Sequence, residues 1–166
     1  MQMITRYVDV ILQQALILLM VALVTSVSWQ VISRYVFSSP SSWTEEVARF
    51  LLIWIGLLGA AYAFRTGVHL GLDILPKKLS GKSASVLEYF ILLVVIGFAA
   101  SVLVVGGGNL VLLTWELKQY SAVLGLPIAF VYSVIPLSGA LICLFAIDAS
   151  SEMNIETRED PTQRGR

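Results

Sequence analysis

Residues 41–56 read SSWTEEVARFLLIWIG, in which two acids and an arginine stand directly before an apolar run. The run continues without a charged residue from Phe50 to Phe64. A helix that crosses the hydrocarbon core of a bilayer needs about 20 mostly apolar residues, so this run is long enough only if its helix begins ahead of Arg49. The stretch therefore predicts a membrane-spanning helix whose charged first turns lie at the interface.

The composition of the whole chain is that of a membrane protein. Of the 166 residues, 57% are hydrophobic and only 13% are charged, whereas a soluble domain carries about 25% charged residues. Acids and bases balance at 11 each, and without a basic stripe no nucleic-acid partner is expected. One histidine is too few for a bis-histidine haem or a His-rich metal site, and the lone Cys143 cannot form an intrachain disulfide. We expect no cofactor, no metal and no catalytic residue.

Three further stretches are long and apolar enough to cross a bilayer, because charged residues are missing from 10–33, 89–115 and 119–147. We therefore predict an all-α membrane protein with four transmembrane helices, near residues 10–36, 44–65, 86–112 and 126–148. The first run is too long for the apolar region of a signal peptide, and no small-residue cleavage site follows it. It is expected to remain as a helix.

The four helices are expected to form a single membrane domain, residues 1–148. The remaining residues, 149–166, are polar and mixed in charge, so we expect a disordered cytoplasmic tail. Four spans leave too little chain for the paired inverted repeats of a typical secondary transporter.

The distribution of Lys and Arg predicts that both termini are cytoplasmic, because cytoplasmic loops carry an excess of these residues. In this orientation eight of them lie inside and three outside. The inside set is Arg6, Arg65, Lys77, Lys78, Lys82, Arg158, Arg164 and Arg166, and the outside set is Arg34, Arg49 and Lys118.

The cytoplasmic connection between helices two and three, residues 66–85, is short and amphipathic. Its stretch VHLGLDIL, residues 68–75, alternates apolar and polar side chains but also fits a helical stripe. Periodicity does not decide between a strand and a helix here. Either would lie along the membrane surface, with Lys77 and Lys78 near anionic headgroups.

The charged residues at the start of helix two have three explanations. Ser42 and Glu45 have the S-x-x-E spacing of a capping box, and acids in a first turn favourably face the helix dipole. Arg49 follows Glu45 by four positions and Glu46 by three, so it can pair with either. A cap and a paired arginine explain most of the cluster, and docking of another subunit through the surplus carboxylate is the alternative. Catalysis or ion transport is less favoured, because the acids lie at the rim without a histidine.

Small residues follow at helical spacing, Gly56 with Ala60 and Gly59 with Ala63. Such pairs let two helices approach closely. The groove they form fits packing within this chain better than a contact with another protein, although both readings remain open.

Two other groups of residues fit a structural role better than a functional one. Arg65 and His69 share a face at the cytoplasmic interface, where a headgroup or loop hydrogen bond explains them as well as a functional contact. The three glycines at 106–108 lie in an apolar run without a nearby acid, so tight packing is expected rather than an ion site. Pro136 is expected to kink the fourth helix.

Residues 43–76, WTEEVARFLLIWIGLLGAAYAFRTGVHLGLDILP, resemble the small membrane subunit of tripartite ATP-independent periplasmic (TRAP) transporters, the DctQ-type family. RYVF at 34–37 and YSAVLGLPIAFVYSVIPLSG at 120–139 are also similar to that family. The matching elements within 43–76 are Trp43, Glu45, Glu46, Arg49, Trp54, Gly59, Ala60, Arg65, His69 and Asp73.

The resemblance implies a non-enzymatic scaffold in a sodium-driven importer of organic anions such as carboxylates. Its partners would be a large multi-span membrane subunit, which carries the substrate and sodium sites, and a periplasmic substrate-binding protein. The location would be the inner or cell membrane of a bacterium or archaeon. The candidate residues for subunit contact or for holding helix two in register are Trp43, Glu45, Glu46, Arg49, Gly56, Gly59, Ala60, Arg65 and His69.

Two other functions fit four small spans. A self-sufficient four-helix exporter would need a carboxylate embedded in the membrane, whereas the acids of this chain lie near span ends. A membrane-anchor subunit of a respiratory enzyme is disfavoured by the single histidine.

Overall fold

The computed structural model describes residues 2–39, 41–66 and 82–159, which are almost entirely helical. Two long helices come first, α1 (Gln2–Tyr35) and α2 (Ser42–Arg65). A third rod consists of α3 (Lys82–Phe98), a π-helical segment (Ala99–Gly106) and α4 (Gly107–Glu116). The short α5 (Ile128–Tyr132) precedes α6 (Val134–Glu159).

Four helical stretches have the length and hydropathy of membrane spans: Thr5–Tyr35, Ser42–Arg65, Tyr89–Glu116 and Ile128–Ser150. They confirm the predicted all-α fold with four transmembrane helices. The predicted amphipathic connection falls mainly on residues 67–81, which lie outside the described residues. We name the ends of the bundle after the predicted orientation, so that the outer end carries residues 36–41 and 117–127.

The last helix differs from the sequence expectation at its C-terminal end. α6 continues to Glu159, past residue 148, where we expected a disordered tail to begin. The segment that follows Asp148 contains good helix formers such as Glu152 and Met153, and no proline until Pro161. Nothing in its backbone chemistry therefore ends the helix at the membrane boundary.

The helices pack in a row rather than as a square bundle. α2 packs against α1 on one side and α6 on another, and α6 in turn packs against the third rod. The core lies where the first two helices meet α6 and consists of Leu12, Leu58, Ala61, Val134 and Phe145. Because lipid tails are as apolar as these side chains, close van der Waals packing rather than the hydrophobic effect holds such a core together.

Two glycines bring the third rod into direct contact with α6. A Cβ atom at Gly139 would lie 2.6 Å from the Cβ of Leu103, on the π-helical segment. A Cβ atom at Gly107 would lie 2.6 Å from the Cγ2 of Ile135. The tight packing expected for the glycine run is thus found at Gly107, inside a continuous helix.

The fourth span is interrupted at Ser133, between α5 and α6. Pro136 has no N–H to offer the carbonyl of Tyr132 and its ring clashes with that carbonyl, so a regular helix cannot pass through this point. The interruption lies one turn before Pro136, where the kink is predicted. Pro127 precedes the first residue of α5, with φ −61°.

Candidate functional site

The outer end of α2 begins without the predicted capping box. The helix starts at Ser42, so Ser41 is the N-cap residue, and among the described residues its side chain makes no capping hydrogen bond. This shift of one position moves Glu45 out of the place from which a capping glutamate reaches back. Thr44 instead donates its hydroxyl hydrogen bond to the Ser41 carbonyl at 2.8 Å, and the Ser26 hydroxyl of α1 donates to the Thr44 carbonyl at 3.1 Å.

The two acids of this end have different partners. Glu45 pairs with Arg49, with Oε1 3.3 Å from Nη2, which confirms the pairing that the spacing allows. Both side chains are largely exposed, 57% for Glu45 and 67% for Arg49. Glu46 turns away from Arg49 toward the outer loop.

The carboxylate of Glu46 holds the loop that follows the third rod. Its Oε2 accepts the backbone N–H of Leu124 at 2.9 Å and that of Val123 at 3.1 Å. The Ser121 hydroxyl accepts a second hydrogen bond from Leu124, at 3.2 Å, and Gly125 closes the turn with φ +65°. The surplus carboxylate of the sequence is therefore engaged within the chain. Sequence reasoning missed this contact because backbone N–H groups carry no side-chain signal.

The inner end of α2 carries an ion pair between a half-buried arginine and a buried aspartate. Arg65 Nη1 lies 3.6 Å from Oδ2 of Asp148 on α6, whose side chain is only 3% exposed. The guanidinium also lies 5.9 Å from the ring centroid of Phe145, at cation–π distance. Asp148 was not among the predicted residues, although an acid and a base at the same end of two spans were the available signal. His69 lies outside the described residues.

Trp54 forms a third contact, halfway along α2. Its Nε1 donates a hydrogen bond to the carbonyl of Val131 at 3.1 Å, and its ring packs against Phe130 with centroids 5.9 Å apart. Val131 and Phe130 belong to α5, just before the break at Ser133. One face of α2 is thus tied at three depths, by Glu46, Trp54 and Arg65, to the segment from the outer loop to α6.

The opposite face of α2 contacts nothing within the described part of the chain along much of its length. Glu45, Arg49, Leu52, Gly56 and Gly59 follow one another at spacings of three and four, so they form one line on the helix. We call this line the open stripe of α2. Leu52 is 61% exposed, and a Cβ atom at Gly56 or Gly59 would meet nothing within 4 Å.

The open stripe corrects one expectation of the sequence. The small residues were interpreted first as a groove for packing within this chain, but among the described residues no atom lies within 4 Å of a Cβ atom built at Gly56 or Gly59, so the groove is open there. The reason is that α1 and α6 approach α2 from its other sides. Ala60 is half-buried at the edge of the stripe, whereas Trp43 is exposed in the first turn on another side of the helix.

Comparison with known proteins places this arrangement in a family. Residues 20–153 match the family described as tripartite ATP-independent periplasmic transporters, DctQ component. The chain is 37% identical over 106 residues to the C4-dicarboxylate TRAP transporter small permease protein DctQ of Rhodobacter capsulatus, a match that covers 61% of this chain and 44% of that protein. It is 31% identical over 88 residues to the sialic acid TRAP transporter small permease protein SiaQ of Vibrio cholerae, over 53% of this chain and 51% of that one.

A third relative is a longer protein. The isethionate TRAP transporter permease protein DctMQ of Oleidesulfovibrio alaskensis is 28% identical over 133 residues, which are 75% of this chain but only 20% of the relative. The family match covers most of the chain, including all of α2 and the outer loop that Glu46 holds. With its four spans, this multi-pass membrane protein therefore belongs to the DctQ component family of the tripartite ATP-independent periplasmic transporters.

Proposed function

We propose that the chain is the small, stationary membrane subunit of a sodium-driven importer of organic anions, and that it braces a larger permease. Family membership supports a place in a TRAP transporter. The names of the relatives point to C4-dicarboxylate, sialic acid and isethionate. All three are organic anions, and the first two carry carboxylates, which makes a carboxylate the favoured substrate class.

The bracing role follows from how α2 is held. Glu46, Trp54 and Arg65 tie one face of the helix at its outer end, its middle and its inner end. Polar contacts spread over the length of a helix resist both tilting and sliding against its neighbours. A subunit built in this way supplies a fixed surface against which a partner moves.

In this proposal the larger permease docks on the open stripe of α2. A glycine-rich helix face lets another helix approach closely, and Gly56 and Gly59 have free space in front of them. The exposed pair of Glu45 and Arg49 sits at one end of this face, where charged groups set register and orientation. In the DctMQ relative the matching region is part of a much longer permease chain, which supports a large membrane partner.

The periplasmic substrate-binding protein would meet the outer end of the bundle. With both termini in the cytoplasm, the loop of residues 117–127 faces the periplasm. Glu46 fixes the turn of that loop against α2, so the loop offers a surface of defined shape. This assignment depends on the orientation predicted from Lys and Arg.

The proposal is tested by co-purification with a larger TRAP permease of the same organism. Gly56→Leu places a bulky side chain on the open stripe, and Ala22→Leu places the same side chain on the exposed face of α1. We expect Gly56→Leu to lower complex yield and sodium-dependent uptake several-fold, with Ala22→Leu close to the unmodified chain. Equal yields for both variants would refute docking through this stripe, and failure of the unmodified chain to bind any permease would refute the proposed function.

A further inference from the structure

The third rod carries a polar side chain well inside its membrane span. Asn109 lies in α4, about two helical turns before Glu116 and hence about 10 Å from the outer end of the span. Its side chain is exposed, and within the described part of the chain it makes no hydrogen bond. A short asparagine side chain extends less far toward the interface than the long side chains of lysine and arginine.

The surroundings of Asn109 form a face that the chain itself leaves open. Val102, Val105, Leu112 and Leu113 are each at least half exposed and share this side of the rod. The opposite side is the one that packs on α6, through Gly107 and the π-helical segment against Gly139. We call the exposed side, centred on Asn109, the amide face.

An amide that faces lipid tails leaves its donors and its acceptor without partners, which is unfavourable in hydrocarbon. A neighbouring protein helix relieves this, because side-chain amides and hydroxyls hydrogen-bond between helices in membranes. Gly106, one turn before the amide, is also exposed, and its lack of a side chain leaves room for such a helix.

We infer that the amide face is a second docking surface, on which a transmembrane helix of the larger permease hydrogen-bonds to Asn109 through an amide or hydroxyl side chain. The inference rests on the proposed function. The longer permease relative supports the occupant, because the matching region is 20% of that protein and shares one chain with the rest of the permease. The amide face lies on the third rod and the open stripe on α2, so the two surfaces are tested separately.

The first test is photo-cross-linking in membranes that contain the full chain and the larger permease. A photoreactive residue replaces Val105 on the amide face, and in a second variant Leu52 on the open stripe. We expect an adduct with the permease from position 105. Adducts from position 105 with lipid alone, or with a second copy of this chain alone, would overturn the inference. If position 52 still links to the permease in that case, the proposed function stands.

The second test measures the hydrogen bond itself. Asn109→Leu removes the amide and Asn109→Gln keeps it. As the control, Thr25→Val removes from α1 an exposed hydroxyl that already donates to the Val21 carbonyl of its own helix. We expect Asn109→Leu to lower the amount of permease that co-purifies several-fold, with recovery in Asn109→Gln and no change in Thr25→Val. Unchanged co-purification of Asn109→Leu would overturn the role of the amide. Thermal unfolding of each isolated variant separates a docking defect from misfolding.

Discussion

Glu46 and Leu124 stand 78 positions apart in the chain, yet Oε2 of the acid accepts the backbone N–H of Leu124 at 2.9 Å. Glu46, which by sequence was a candidate for chemistry or docking, therefore holds a loop in place. The exposed acid of the doublet is Glu45, and its partner is Arg49 on the same helix. Changes at Glu46 should therefore report on folding, whereas the proposed docking concerns Glu45 and Arg49.

Replacing Glu46 by alanine should loosen the outer loop while leaving the spans intact. The N–H groups of Val123 and Leu124 lose a charged acceptor, and such hydrogen bonds are stronger than those between neutral groups. We expect amide exchange at these two positions to become about tenfold faster. Hydrogen exchange with mass spectrometry on the purified subunit measures it.

Glu45→Ala is the control for that experiment, since within the described residues the Glu45 side chain pairs only with Arg49, at the surface. Exchange at Val123 and Leu124 should then match that of the unmodified protein. Equal exchange rates in the two variants would show that Glu46 does not hold the loop in the membrane.

The ion pair of Arg65 and Asp148 should give a measurable coupling energy in a double-mutant cycle. Asp148→Asn leaves Arg65 without its charge partner, and Arg65→Met leaves a carboxylate that is 3% exposed. Each single change should destabilise the subunit, and the double change should cost less than the sum by about 1 kcal/mol or more. Unfolding of the four proteins in detergent gives the cycle, and strict additivity would argue against a direct interaction.

Two glycines offer a matched pair of alanine substitutions. Gly139→Ala places a Cβ atom 2.6 Å from the Cβ of Leu103, whereas a Cβ atom at Gly97 meets nothing within 4 Å. We expect a cost of about 1–3 kcal/mol at Gly139 from overpacking. Gly97→Ala should be neutral or stabilising by up to about 1 kcal/mol, because alanine is the better helix former. A midpoint temperature unchanged by Gly139→Ala would contradict the close approach of the two helices.

Trp54 should contribute more than its apolar ring. Trp54→Phe removes the N–H that donates to the carbonyl of Val131 at 3.1 Å, and we expect a loss of about 1 kcal/mol. Trp43→Phe is the control, because that tryptophan is 51% exposed. The difference in thermal stability between the two variants measures the hydrogen bond, and equal effects would assign the role of Trp54 to packing alone.

The fold was predictable because long charge-free runs leave few alternatives to membrane-spanning helices. The pairing of Glu45 with Arg49 was also accessible, since helical spacing fixes which side chains of one helix meet. The N-cap of α2 was not accessible from the sequence. The helix starts at Ser42 instead of one residue later, and this shift changes the role of every residue in the first turn. The composition of the segment after Asp148 suggested a polar tail, while its helix-forming residues allowed α6 to continue.

Sequence reasoning missed the contacts of Glu46 and Trp54 with distant segments for a common reason. Glu46 binds backbone groups, and Trp54 donates to a carbonyl next to a helix break, so neither partner has a recognisable side chain. Gly56 and Gly59 show the converse limit. Their spacing indicates that a helix can approach, but only the positions of α1 and α6 reveal that no described helix of this chain does so.

The ties of α2 also set an order of events during biosynthesis. Trp54 and Val131 are separated by 77 positions, as are Glu46 and Val123. α2 is therefore made before the segments that it contacts. The hydrogen bonds of Glu46 and Trp54 can form only when the outer loop and the last span have been made. The open stripe needs no later segment, because its residues all belong to α2. A nascent chain thus completes the open stripe early and gains the contacts that hold α2 last.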